Sequence, residues 1–302
     1  MHRYVGVRYK LSSGKKFTAP HRIPTVGNPY YTMKGTKMSS AEERAIRFIC
    51  ERYSEPLSLA NIADSALLSR FHFCRTFRDA TGVTPGRFLS AIRIYQAKRL
   101  LLNTRMNVTD IAFAVGYNSL GSFSNHFTDS VGLAPGRFRR VAQTGRFELP
   151  RPRRTSSSPK ATVTGTLVIP SGYACGRVCL GTFDTPIVQR RPAAAVVIEA
   201  PATAGPCSFE LTGVPHGTWF IRAVTVADNT DPEPWTRRTL LVGGVGPVPV
   251  AADTVISAAI ELRTRRPTDL PILLALPDLE AEPSEMAPPH TGFVAAQTLR
   301  SA

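Results

Sequence analysis

The sequence lacks any run of about 18 apolar residues, the length a membrane-spanning helix needs. Its first thirty residues hold basic side chains and prolines but no apolar stretch of the secretory-leader kind. Cysteine is scarce: five among 302 residues, at Cys50, Cys74, Cys175, Cys179 and Cys207. That number is too small, and odd, for a disulfide scaffold. A reducing cytoplasm is the expected compartment, with no membrane partner. Acidic residues are absent from residues 1–38, which carry eight basic ones. Hydrophobic residues are not scarce, at 43 %, so wholesale disorder is excluded.

What the chain has is positive charge. Lys and Arg number 37 against 22 Asp and Glu, a net +15. Such a balance favours a polyanion, either nucleic acid or an acidic membrane surface. The charge is uneven. Residues 39–142 hold 14 basic and 8 acidic side chains, and residues 161–302 hold 10 basic and 13 acidic. The cationic character therefore sits in the first half.

Texture changes at the same places and predicts a multidomain chain. Residues 1–38 form a basic tail expected to lack order. It reads as an arm that follows DNA, or as an extension upstream of a start at Met33 or Met38. A capping box expected at Ser39 and Glu42 favours the second. Residues 39–142 read as an all-α domain with helical periodicity. Residues 143–160 are rich in Pro, Ser and Arg and read as a linker. Residues 161–279 are rich in Val, Thr and Ile and read as an all-β sandwich. Residues 280–302 return to Pro, Glu and Ser and are expected to be disordered.

The helical half repeats itself. Thr81-Gly82-Val83-Thr84-Pro85-Gly86-Arg87-Phe88 matches Val131-Gly132-Leu133-Ala134-Pro135-Gly136-Arg137-Phe138 at an offset of 50. Phe73 and Phe77 match Phe123 and Phe127 at that offset, and Ile62-Ala63 matches Ile111-Ala112 at 49. Each copy predicts a short helix, a tight turn and a second helix, the helix-turn-helix unit. Ser58 and Asn107 are positioned to cap the first helices, and Ser69 and Ser119 the second. Gly82 and Gly132 end them. Inside each unit Ile62, Ala63, Phe73 and Phe77, or Ile111, Ala112, Phe123 and Phe127, form the predicted core. Between the copies Pro85 opens a long amphipathic helix, with Phe88, Leu89, Ile92, Tyr95, Ala97, Leu100 and Leu101 inward. At about 1.5 Å per residue it spans roughly 27 Å. That length could set two second helices near one DNA turn apart.

On these residues, together with Arg93 through Leu101 and Val115-Gly116-Tyr117, the region resembles the DNA-binding domain of the AraC/XylS family of bacterial transcription regulators. The resemblance implies seven helices, sequence-specific binding of double-stranded DNA, control of transcription initiation and contact with RNA polymerase. It places base contacts at Phe71, Cys74 and Arg75. Helical geometry independently turns Arg70, Phe71, Cys74, Arg75 and Arg78 outward once Phe73 and Phe77 face in. Arg75 is the leading base reader, since arginine can pair bidentately with guanine. His72 is expected to pack rather than read. In the second unit the outward set is Leu120, Gly121, Ser122, Ser124, Asn125 and His126. Asn125 stands where many relatives carry arginine. It could pair with adenine, or the unit could mainly grip the backbone. Arg137, Arg139 and Arg140 suit phosphate contacts.

In the strand half, Phe209 to Leu211 and Trp219 to Ala223 alternate around Val214-Pro-His-Gly217 and predict a hairpin. Other expected strands are Thr162–Ile169, Arg177–Phe183, Ala194–Glu199, Thr239–Val242 and Thr254–Arg263. This stretch bears a short resemblance to carboxypeptidase-regulatory-like and transthyretin-like modules, which implies binding or support. Effector sensing, homodimerisation or partner docking are the expected roles. Cys175, Cys179, Cys207 and His216 lack zinc-knuckle context. Asp228, Asp231 and Glu233 fit no calcium loop. No catalytic constellation is found, and neither metal nor cofactor is expected. The chain reads as a transcription factor; the alternative is a DNA-associated adaptor or architectural protein whose β domain recruits a partner.

Overall fold

The computed structural model describes residues 9–10, 16–17, 40–144, 160–171, 175–199, 205–227, 241–266 and 268–275. Of the linker expected at 143–160, residues 143–144 are helical and Lys160 is in a strand, while 145–159 lie outside them, as do the tail 280–302 and residues 228–233. Within the basic tail, β1 (Tyr9–Lys10) and β2 (Lys16–Phe17) pair as a two-residue antiparallel ladder.

Seven helices follow: α1 (Ala41–Arg52), α2 (Leu59–Ser65), α3 (Arg70–Thr81), α4 (Pro85–Asn103), α5 (Val108–Ala114), α6 (Leu120–Val131) and α7 (Pro135–Thr144). Their starts follow local chemistry. A short polar side chain before a helix satisfies one of the amide donors that the first turn leaves open. Ser58, Ser69, Asn107 and Ser119 all cap in this way. The reciprocal box forms between Ser58 and Asn61. At α1 the expected cap at Ser39 moves one residue: Ser40 accepts from the Glu43 amide at 3.3 Å. Gly82 and Gly132 end α3 and α6 in the left-handed region, at φ 78° and 88°, where a Cβ is strained.

Burial follows the predicted inner faces. Ile62, Ala63, Phe73, Phe77, Ile111, Ala112, Phe123 and Phe127 all belong to one buried core. Phe73 and Phe77 pack at 5.2 Å between ring centroids, and Phe123 and Phe127 at 5.6 Å. Each unit closes with an edge-on phenylalanine from the following helix, Phe88 on Phe77 and Phe138 on Phe127. Fully burying such a ring stabilises by about 1.5–3 kcal/mol.

The α4 helix departs from expectation. It is not amphipathic but buried nearly all round, with Ile94 at 0 % and Lys98 at 4 % exposure, while Tyr95 is only half-buried. The reason is a second cover. Ile187, Leu273 and Ala275, from the strand-rich half, join the helical core.

Among the described residues that half has two sheets. One contains β10 (Arg263–Thr264), β8 (Leu241–Val250), β7 (Gly217–Ala227), β4 (Cys175–Phe183) and β5 (Ala195–Glu199), in that order. The other orders β6 (Gly205–Pro215), β3 (Lys160–Ile169) and β9 (Val255–Glu261). Val163, Leu167, Leu211 and Ile260 of the smaller sheet share one core with Val178, Leu180, Ile221 and Ala223 of the larger. The predicted hairpin is not one. The β6 strand pairs with β3 and β7 pairs with β4 and β8, so the chain changes sheet at His216. Gly217 turns that corner at φ 146°, and the Trp219 indole donates to the Pro215 carbonyl at 2.8 Å. The β8 strand runs eight residues past its expected end at Val242, through a stretch rich in Gly and Pro.

Candidate nucleic-acid interface

The candidate surface starts from what the buried phenylalanines leave outside. With Phe73 and Phe77 fully buried, Arg70, Phe71, Arg75 and Arg78 are exposed on α3 and Cys74 is half-buried. Phe71 is 87 % exposed and Leu67, in the preceding turn at φ 59°, is 81 % exposed. Two large apolar side chains thus stand in water beside three arginines. His72 is exposed, not the packing residue expected. Its place in the first turn aims it away from the Phe73–Phe77 face.

The second unit is built alike and charged differently. Leu120, Gly121, Ser122 and Asn125 are exposed and Ser124 is half-buried, with no cationic side chain among them. His126, placed outward by periodicity, is instead drawn half inside. Its Nδ1 lies 2.5 Å from the Tyr117 hydroxyl and 3.4 Å from Ser90 Oγ. Burial holds the imidazole below the ordinary histidine pKa. Asp129 works against that shift and Arg190 adds to it. Burial likewise raises the Tyr117 hydroxyl.

Two cations here have structural duties. Arg93 donates to the Tyr53 and Glu55 carbonyls at 2.7 and 2.8 Å, fastening α1 to α4. Gly116, at φ 89°, admits this arrangement, since a Cβ there would lie 2.8 Å from the Ser54 carbonyl oxygen. Arg139 donates to the Leu101 and Met106 carbonyls and so leaves the expected phosphate set. Its neighbours Arg137 and Arg140 remain exposed. Among the exposed cations that the sequence reading did not single out is Arg87. It shares a shallow recess with Arg78, Gly82, Val83 and Thr84. The repeat carried the signal, because Arg87 is the counterpart of Arg137.

Among the described residues no group of three or more His, Cys, Asp or Glu side chains could hold a metal. Cys50 is buried, with its thiol pushed up to about 12, an inert packing residue. No described helix is long and apolar enough to cross a membrane.

The helix-turn-helix domain family matches residues 62–141. Within the curated proteins, the bifunctional transcriptional activator/DNA repair enzyme AdaA of Bacillus subtilis is 31 % identical over 96 residues, 32 % of this chain and 46 % of that protein. The lactose operon transcription activator of Staphylococcus xylosus is 30 % identical over 97 residues, covering 32 % and 35 %. The melibiose operon regulatory protein of Escherichia coli is 28 % identical over 103 residues, covering 34 % of each. The chain thus spans less than half the length of these relatives. Among solved structures, the DNA-binding domain of AdpA in complex with a target DNA is 29 % identical, covering 36 % of this chain and 97 % of that one, with a TM-score of 0.35. Residues 62–141 are a helix-turn-helix domain of the AraC/XylS type, with transcription regulators among its homologues.

Proposed function

We propose that this chain binds double-stranded DNA sequence-specifically and regulates transcription initiation from the cytoplasm. In this reading α3 is the base reader. The observation that carries it is the surface of α3: Arg70, Arg75 and Arg78 beside a Phe71 that is 87 % exposed. An uncovered phenylalanine costs free energy in water, and burial would return about 1.5–3 kcal/mol. A thymine methyl offers apolar contact, and guanine offers Arg75 two acceptors, worth about 1–3 kcal/mol of discrimination. Cys74 sits between them. The α6 helix, with Leu120, Gly121, Ser124 and Asn125 outward, occupies a second groove with weaker base reading. Arg137 and Arg140 hold phosphates. The strand-rich half regulates this binding, with RNA polymerase, a small-molecule effector and a second copy of the chain as candidate partners.

The test is selection from a random duplex library, followed by affinity for the selected and scrambled sites at two salt concentrations. A regulator keeps a specificity ratio of about 10³ or more. The uncharged α6 surface favours a second reading, an architectural adaptor. That protein would show salt-dependent affinity without sequence preference.

A further inference from the structure

The strand-rich half touches the helical half at three separated places. At the end of α3, Pro186 lies 3.2 Å from where a Cβ on Gly82 would stand. On α4, the Lys98 ammonium donates to the carbonyls of Leu273, Leu274 and Ile272 at 3.0, 3.3 and 3.5 Å. It also sits 5.6 Å over the Phe138 ring. At the end of α6, the Ala275 amide donates to the Val131 carbonyl at 3.1 Å and the Arg190 amide to the Ser130 carbonyl at 2.8 Å. The Arg190 guanidinium adds an exposed pair to Asp129.

These contacts come from one piece. The amides of Leu273 and Leu274 both donate to the Val188 carbonyl, at 2.8 and 3.0 Å. Residues 186–190 and 271–275 are thereby one packed element. It meets the C-terminal ends of both candidate recognition helices and the helix between them. A lysine buried with three carbonyl acceptors is costly to expose half-satisfied, so the seat is a defined one. The two helix-turn-helix units meet chiefly across α4, with one further close approach between Gly116 and the Ser54 carbonyl, and could flex about that helix. The element spans that joint.

We propose that residues 186–190 and 271–275 brace the joint, fixing α3 relative to α6 and so setting which spacing of two DNA half-sites the chain accepts. This rests on the DNA-binding reading for its consequence but not for its geometry. Nitroxide-bearing unnatural amino acids at the exposed Asp79 and Thr128 of the full chain report the separation of α3 and α6 directly. The native chain gives one narrow distance distribution, and Leu274→Asp broadens it roughly twofold. If circular dichroism shows that Leu274→Asp has lost its helices, Ala275→Pro, which removes the donor to Val131 without adding charge, takes its place. An unchanged narrow distribution in the folded variant overturns the brace. Library selection gives the second readout. Native protein returns two sequence blocks at one spacing, and the variant returns the same blocks at mixed spacings. The same single spacing from a folded variant also overturns it. Recovery of no site by either protein would sink the DNA reading alone, while the distance measurement still decides the brace.

Discussion

The two helix-turn-helix units share nearly every feature that folds them and almost none that would meet a ligand. Both have a capped first helix, a capped second helix, a pair of phenylalanines four apart and a left-handed terminal glycine. Yet α3 offers Arg70, Phe71, Arg75 and Arg78, while α6 offers Leu120, Gly121 and Asn125. Folding constrains the inner face, where a lost methylene leaves a void. The outer face faces only water until a partner arrives, so two copies can diverge there without unfolding. The α6 helix also gives its far end to the strand-rich half, through Ser130 and Val131. The strand-rich half thus donates backbone hydrogen bonds to the end of α6, whereas at the end of α3 it makes the Pro186 approach to Gly82.

The largest expected effects test the sameness. Phe77→Ala and its counterpart Phe127→Ala should each cost about 3–5 kcal/mol in urea denaturation. Unequal losses would show that the units do not contribute alike. Next comes the difference. Arg75→Ala should lose about 1–3 kcal/mol of discrimination between selected and mutated sites, and Asn125→Ala clearly less. Equal losses in binding assays would remove the distinction between the two helices, and a larger loss at Asn125 would reverse it. Smaller again, Ser69→Ala and Ser119→Ala should each lower stability by about 1 kcal/mol. Matching shifts in thermal melting are expected.

The smallest effect belongs to the second unit alone. Burial lowers the His126 pKa below its unfolded value. Between those two values the unfolded chain binds a proton that the folded chain refuses. Stability therefore rises with pH through this window and is lost as pH falls through the ordinary histidine range. The groups facing the imidazole are Tyr117, Ser90, Asp129 and Arg190. Melting curves at pH 7.5 and 5.5 should differ less in His126→Gln than in the native chain. An identical pH dependence would remove this distinction between the units.

The helical half was legible because its signals are local. A serine before a helix, phenylalanines four apart and a glycine at its end act within one or two turns, and the repeat states each twice. Several of the differences involve partners that a local pattern does not state. Alternation and a Pro-Gly turn describe β6 and β7 correctly as strands but cannot say that each joins a different sheet. His126 looked outward because Tyr117, its partner, lies in the preceding turn. Lys98 falls outside the inward set expected for α4 because its carbonyl partners are encoded far downstream. Among the exposed cations Arg87 was overlooked although its counterpart Arg137 was singled out, a comparison the repeat already allowed.

The seat of Lys98 also has a consequence in time. Its acceptors follow it by about 175 residues. At a synthesis rate of about 5–20 residues per second, they emerge roughly 9–35 s later. Helix formation and packing of small helical units take far less than a second. A helical half that packs within that interval would do so with an uncovered lysine on α4, and its two units would meet water before the piece that seals them has been made.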